Sequence, residues 1–492
     1  LALSTQNRTV HLLLLVSLTV ATIGFWNIHS PWGIYEDWIK VQNNAVIAQT
    51  GHISMTLGNY LTFPSSFVAD QTLSFFLGYN PYFVAPFVTI STITFVIILY
   101  LLASKVLHNS SSAFFAVTLY MIGDVVINGV HYHPDYMSLC IAASLMYIII
   151  GSSARTDRAS LVTSMILMGA VITEAPSATL VTLVFIATAV LAARRYVNRR
   201  PGAFNSYFLV TVVASFVAWI IYWASLFERG VIIGIISLSS SFESLFNVST
   251  SVIGSHSRGG SFVGPLEIFW IGVLIGLPIF IIIWHTISGD FSRINGWATF
   301  VYFSAGVAGV LAIAIQPGNF FLPLLYMPIG GSLIVMTFVK DRKYIKVLIA
   351  LAIITLALPS FYAANSRIIS GATQPQFYYA GSFVASYYPS SSPVFGDSLV
   401  QWFNPTAVWY SAVYLVGPAN NFAAAEGNIQ SYLADSQSHG SIFILQPTLF
   451  DNYYHLYGVS EGSTIQTLVD HDLSGNDLVL SDGFDSGYLP PS

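Results

Sequence analysis

Charge is what this sequence lacks most. Only 8% of its 492 residues are charged and 54% are hydrophobic, where an ordinary globular chain carries roughly 25% charged residues. That excludes a water-soluble domain of this size. There is one cysteine, Cys140, inside an apolar run, which excludes a disulfide framework and a Cys-based metal centre. No basic face is present, which excludes nucleic acid as a partner. Gly-rich phosphate loops, a G-x-S-x-G elbow and H-E-x-x-H are also missing, so nucleotide hydrolysis and zinc proteolysis have no foothold.

What is present is a series of apolar runs of about 18 to 25 residues, the length that crosses a bilayer. They predict a polytopic α-helical membrane protein with about eleven spans, near 10–28, 84–104, 112–130, 135–152, 159–173, 177–194, 206–226, 265–286, 295–315, 320–339 and 345–363. The fifth and sixth runs meet at Glu174-Ala175-Pro176, where proline forces a turn. The first run has no small-residue cleavage site after it and reads as a retained helix rather than a leader. With Leu1 at its start, the chain is expected to lack some preceding residues.

Lys and Arg set the expected orientation. With the N-terminus cytoplasmic, the inner loops take Arg8, Lys105, Arg155, Arg158, Arg194, Arg195, Arg199, Arg200, Arg293, Lys340, Arg342, Lys343 and Lys346, or 13 of the 17 basic residues. Only Lys40, Arg229, Arg258 and Arg367 fall outside, so the reverse orientation would violate the rule. An odd number of spans leaves the C-terminus outside. Acids sort oppositely: residues 368–492 hold ten acids and no Lys or Arg. Such a surface suits an acidic or salty medium, as for an archaeal or acid-living source.

Domain organisation follows. Residues 1–363 are expected to form the membrane domain, with long outer loops at 29–83 and 227–264. Residues 364–492 are expected to form a small extracytoplasmic α/β domain. Strand-like runs at Ala412–Val416, Ser441–Leu445 and Asp477–Leu480 alternate there with helix-like stretches at Asn421–Ala434 and Thr464–Val469. Asn247-Val248-Ser249 is an outer glycosylation sequon, whereas the sequons at Asn7 and Asn109 fall on the cytoplasmic side.

Chemistry concentrates on the outer side. Tyr35-Glu36-Asp37-Trp38 places two carboxylates just beyond the first span, followed by an amphipathic stretch, Ile39 to Gly51, suited to the interface. Near a low-dielectric boundary such acids serve as a general base or hold a cation; the alternative is a solvated helix start. His131-Tyr132-His133-Pro134-Asp135 lies between spans three and four. Its groups suit a divalent metal, a phosphate or plain loop polarity, and Asp135 also suits a helix cap. Glu174 lies near membrane depth, where an ionisable group is a functional candidate; Asp124 is a weaker case. Arg229, His256 and Arg258 are the scarce outer cations for a phosphate-linked lipid, with a loop tip as the alternative. Asp470-His471-Asp472-Leu473-Ser474-Gly475 resembles half a calcium loop, with Asp470, Asp472 and Ser474 as ligands, but Ser481 stands where a glutamate is needed. No cofactor is firmly implied beyond a divalent cation at such sites.

The order of these features resembles a known family. A first span is followed by an outer acidic pair and a juxtamembrane stretch ending Ala48-Gln49-Thr50-Gly51-His52, then many spans and a C-terminal outer domain. This layout is similar to the GT-C superfamily of integral membrane glycosyltransferases, which use polyprenyl-phosphate-linked sugars. His133-Pro134-Asp135-Tyr136-Met137-Ser138-Leu139 is similar to the family's acidic start of the fourth helix. The resemblance implies Asp37, or else Glu36, as catalytic base. It implies His131, His133, Asp135, Glu174, Arg229, His256 and Arg258 around the substrate. The partners it implies are a polyprenyl-phosphate-linked sugar, membrane lipids, and a lipid, glycan or protein acceptor. The W-W-D-Y-G signature of oligosaccharyltransferases has only Val408-Trp409-Tyr410-Ser411 as its nearest string, so a monosaccharide transferase fits better than peptide N-glycosylation. The competing classes are a catalytically silent scaffold of the same fold and a transporter; against the latter, no internal repeat is visible.

Overall fold

A computed structural model describes residues 7–29, 44, 47, 65–79, 85–127, 134–152, 158–174, 179–187, 206–222, 266, 268–289, 295–315, 321–339, 355–357, 394–396, 409–411, 442–445, 477–481 and 486–489. The chain divides into two compact units. One comprises Leu1–His29, His52–Tyr79 and Ala85–Ile368; the other comprises Ser30–Gly51, Asn80–Val84 and Ile369–Ser492.

The first unit is helical. Its elements are α1 (Arg8–His29), α2 (Ser65–Leu77), α3 (Ala85–Leu107), α4 (Ser110–Ile127), α5 (Pro134–Ser152), α6 (Arg158–Glu174), α7 (Ser206–Tyr222), a π-helical turn (Gly272–Gly276) running into α8 (Leu277–Ile287), α9 (Gly296–Ile315) and α10 (Phe321–Val339). Residues 179–187 are also helical. At about 1.5 Å per residue, the 23 residues of α3 reach about 34 Å, enough for a hydrocarbon core of about 30 Å. By length and composition Pro86–Leu107 and Ile268–Ile287 each suffice to cross a bilayer, and the other apolar helices are shorter over their described residues. Of the expected spans, the last is described only at 355–357, which are helical.

Two features fit these helices to lipid. Many of their hydroxyls bond one turn back along the helix: Thr19 donates to the Leu15 carbonyl (2.8 Å), Thr118 to Phe114 (2.9 Å), Ser144 to Cys140 (2.8 Å) and Thr337 to Leu333 (2.9 Å). Hydrocarbon offers no water to such groups, so a bond one turn back is the available solution. Large apolar side chains also stay on the outside, among them Val210, Phe280, Trp284, Ile287 and Val310, while Ser112, Ser138, Thr179, Thr182 and Ser304 are buried. Apolar surface out and hydroxyls in is the reverse of a soluble bundle.

Packing is closest around the π-helical turn. Tyr302 on α9 donates to the Ile275 carbonyl at 2.6 Å, occupying an acceptor in the widened turn. A side chain at Gly331 on α10 would strike the Leu274 carbonyl, and one at Gly330 would strike the backbone of Tyr302. Glycine is what lets α10 seat against both neighbours. Buried Leu274 and Trp270 in turn press on Gly123 of α4.

The second unit contains a five-stranded sheet of order β2-β1-β3-β5-β4, from β1 (Val394–Gly396), β2 (Trp409–Ser411), β3 (Ile442–Leu445), β4 (Asp477–Ser481) and β5 (Ser486–Leu489). β1 runs parallel to β2 and β3, with Phe395 opposite Tyr410 and Phe443. β5 runs antiparallel to β3 and β4. The runs expected at 441–445 and 477–480 form β3 and β4. A strand stands at Trp409–Ser411, just before the run expected at 412–416. The runs at 412–416, 421–434 and 464–469 lie outside the described residues.

Candidate functional site

Successive spans alternate in direction, so the first unit has two distinguishable ends. One holds the start of α1 and the ends of α3 and α5. His11 and Tyr100 share a hydrogen bond there (3.2 Å), and His11 lies tilted against Phe114 with ring centres 5.2 Å apart. The Lys105 ammonium sits 5.7 Å from the centre of the Tyr147 ring. Three asparagines cap helices at this end. The Asn7 side chain accepts from Thr9 N–H, Asn109 from Ser112 N–H, and Asn295 from Trp297 and Ala298 N–H. Asn295 also donates to the Val106 carbonyl at 2.6 Å, tying α9 to α3. Asn7 and Asn109, read in the sequence as idle sequons, are thus helix caps. We call this the basic end.

The other end, called the acidic end below, holds α2, the start of α3 and α5, and the ends of α4 and α6. Four polar arrangements mark it. Ser65 at the start of α2 and Thr173 on the last turn of α6 share a hydrogen bond at 2.5 Å. This brings the first long connection against the residue that precedes Glu174. Thr179 donates to the Val171 carbonyl at 3.2 Å, joining the helix at 179–187 to α6. Ser138 on α5 and Tyr326 on α10 share a buried hydrogen bond at 2.9 Å, about one turn along from Asp135, which is in the first turn of α5. Asp124 is buried late in α4.

A further arrangement, between Asp70 and Tyr79, was not foreseen in the sequence. Asp70 is fully buried on α2, and the Tyr79 hydroxyl donates to its carboxylate at 2.5 Å. Gly78 makes the turn between them: its φ is +71° and its N–H donates to the Ser74 carbonyl at 2.8 Å. A left-handed residue just past a helix end is glycine's common place. Burial, then the hydrogen bond to Asp70, then the charge of that carboxylate all push the Tyr79 hydroxyl well above the usual tyrosine range. The clue in the sequence was Gly78 following an apolar segment that opens with Ser65-Ser66. Residues 29–83 were read instead as a loop with one interfacial helix at 39–51, of which 44 and 47 are helical and the rest lie outside the described residues.

The predicted site residues divide accordingly. Glu174 closes α6 and Asp135 stands in the first turn of α5, on helices that pack together at the acidic end. Glu36, Asp37, His131, His133, Arg229, His256, Arg258, Asn247, Asp470, Asp472 and Ser474 lie outside the described residues. Among the described residues no three of His, Cys, Asp and Glu gather as metal ligands.

No protein-family model and no curated protein matches the chain. Solved structures do. The Archaeoglobus fulgidus oligosaccharyltransferase tethered to an acceptor peptide containing the NVT sequon matches at TM-score 0.55 and 13% identity, over 99% of this chain and 74% of that one. The archaeal oligosaccharyltransferase AglB from A. fulgidus, in complex with an inhibitory peptide and a dolichol-phosphate, matches at 0.53 and 11%, over 99% and 74%. ArnT from Cupriavidus metallidurans in the apo state matches at 0.52 and 13%, over 98% of each chain. The expected resemblance is borne out at the level of fold: the chain shares a polytopic helical architecture with these solved oligosaccharyltransferase and ArnT structures.

Proposed function

We propose that this protein is a membrane glycosyltransferase that moves a sugar from a polyprenyl-phosphate-linked donor to an acceptor on the outer face of the membrane. The observation that carries the reading is the GT-C fold over essentially the whole chain. A fold alone does not make an enzyme. The acidic end adds chemistry: Asp135 and Glu174 stand on adjacent helices there.

In this reading there are eleven spans, the acidic end is outside, and residues 364–492 form an outer α/β domain. Asp37, or Glu36 beside it, takes the proton of the acceptor as it attacks the anomeric carbon. The bond to the lipid phosphate breaks on the opposite face, and the phosphate leaves with its charge met by Arg258, Arg229, His256 or His133. His131, Asp135 and Glu174 orient the sugar. One feature favours a transferase of single sugars over peptide N-glycosylation: the string in β2, Trp409-Tyr410-Ser411, departs from the W-W-D-Y-G pattern.

The test is transfer of radiolabelled sugar from a panel of polyprenyl-phosphate donors in membranes containing the protein. Label should appear in an extractable lipid, glycan or protein product. A panel that yields none, with folded protein in the membrane, would leave the scaffold reading in its place.

A further inference from the structure

Two groups of helices meet inside the first unit. α5 packs on α3 and α6, while α10 packs chiefly on α4, α9 and the π-helical turn. The first group carries Asp135 and Glu174. The second contains the π-helical turn and α8, which follow the long connection 227–264. That connection holds Arg229, His256 and Arg258. A hydrogen bond between two hydroxyls joins the groups: Ser138 on α5 and Tyr326 on α10 share it at 2.9 Å. Both residues are fully buried, at 0% and 1% exposure.

A serine in hydrocarbon can turn to the carbonyl one turn back. A bond that crosses to another helix restrains more, because it holds both helices at one level. α9 rises from the basic end, where Asn295 ties its start to α3, so α10 begins at the acidic end. At ~1.5 Å per residue, Ser138 lies about 6 Å from the start of α5 and Tyr326 about 7.5 Å from the start of α10. The bond therefore sits roughly one turn inside the bundle. Asp135 stands in the turn between this bond and the start of α5. N–H groups of a first turn have no carbonyl partner within their helix, so that turn takes its place from contacts made outside it.

α10 gives such a contact a fixed base. Four and five residues beyond Tyr326 come Gly330 and Gly331, where a side chain would strike the Tyr302 backbone and the Leu274 carbonyl. Tyr302 in turn donates to the Ile275 carbonyl at 2.6 Å. These contacts hold α10 in register with α9 and the π-helical turn, and Tyr326 passes that register to Ser138.

We propose that Tyr326 is a positioning residue for sugar transfer. Through Ser138 its hydroxyl holds the first turn of α5, and with it Asp135, in register with the helices that follow the cation-bearing connection. The inference rests on the transferase reading, in which Asp135 orients the sugar and the cations meet the leaving phosphate. What Tyr326 sets is the spacing between these two sets of groups.

The test is Tyr326→Phe in the full chain, which removes one oxygen and keeps the ring. With a labelled polyprenyl-phosphate donor in membranes, kcat should fall about threefold to tenfold, a fraction of the ~10²-fold that a 1 Å misplacement costs. KM for the donor should move less than about twofold, because donor binding is made elsewhere. Ser138→Ala breaks the same bond from the other side. It should give the same loss, and the double variant should lose no more than either alone. Losses that multiply, or a changed KM with kcat intact, would overturn the proposal. A second arm needs no turnover: a nitroxide at Asp135→Cys, in a chain with Cys140→Ala, should gain mobility when Tyr326→Phe is added. An unchanged spectrum would overturn the proposal. A wild type that transfers nothing from any donor overturns the transferase reading and this role with it. An active wild type whose variants turn over equally fast overturns this role alone.

Discussion

The two ends of the helical unit solve different problems. The basic end is closed by local devices: α3 passes to α4 through His108 and Asn109 alone, with His108 at φ 52°, and asparagines cap α1, α4 and α9. His11, Lys105 and the three asparagines there are paired with aromatic rings or backbone. At the acidic end two connections are long, between α1 and α3 and between α7 and the π-helical turn, and carboxylates are carried on helices near their termini or buried within them. One end is arranged for tight joining of spans. The other accepts buried charge, which costs stability unless it serves a purpose.

The sharpest break in that comparison should come from Glu174→Gln. Losing one hydrogen bond to a charged group costs about 1.5–3 kcal/mol, so sugar transfer should fall roughly tenfold to a hundredfold with the melting temperature nearly unchanged. A drop in thermal stability without a kinetic effect would make Glu174 structural. Gly331→Ala tests the region between the ends. Its methyl meets the Leu274 carbonyl, and overpacking costs about 1–3 kcal/mol, visible as a lower unfolding temperature in detergent. If stability is retained, α10 has freedom to shift.

Smaller effects separate the ends further. Asn295→Ala removes a cap and a bond to α3 and should cost about 1 kcal/mol, with activity per folded molecule preserved. A selective loss of turnover would show that the basic end is coupled to chemistry. Tyr79→Phe should cost about 1 kcal/mol through its lost bond to Asp70. The same pair gives a pH signature. Because the folded-state pKa of Tyr79 is raised, its contribution is complete below about pH 10, where an unfolded tyrosine titrates. It declines as pH rises further, since the unfolded chain releases that proton first. Stability above pH 10 should therefore fall less steeply in Tyr79→Phe, and identical slopes would remove Tyr79 from the account.

Much of this architecture was legible because bilayer spans are long and apolar, a signal that survives without neighbours. The run at 84–104 became α3 and that at 320–339 became α10 with small shifts at their ends. Helix α2 was not legible. Its aromatics face outward and its acid inward, so a reading that buries apolar residues misassigns both faces. The π-helical turn was hidden because hydropathy does not distinguish a widened turn from a regular one. β1 at Val394–Gly396 is three residues long and takes its place by pairing with β2 and β3, partners distant in sequence. Asp124 seemed a minor acid, and only packing revealed its burial. The end of α6 at Glu174 was legible from one local fact, a proline two residues on, between two apolar segments.

The central claim is that transfer chemistry belongs to the acidic end. The most direct measurement compares wild type, Asp37→Asn, Glu36→Gln and Asn295→Ala for sugar transfer from a labelled polyprenyl-phosphate donor at matched membrane levels. The account predicts that one carboxylate substitution lowers transfer by about 10²–10⁴-fold, the range for a lost general base, while Asn295→Ala retains it. Full transfer by both Asp37→Asn and Glu36→Gln would contradict it.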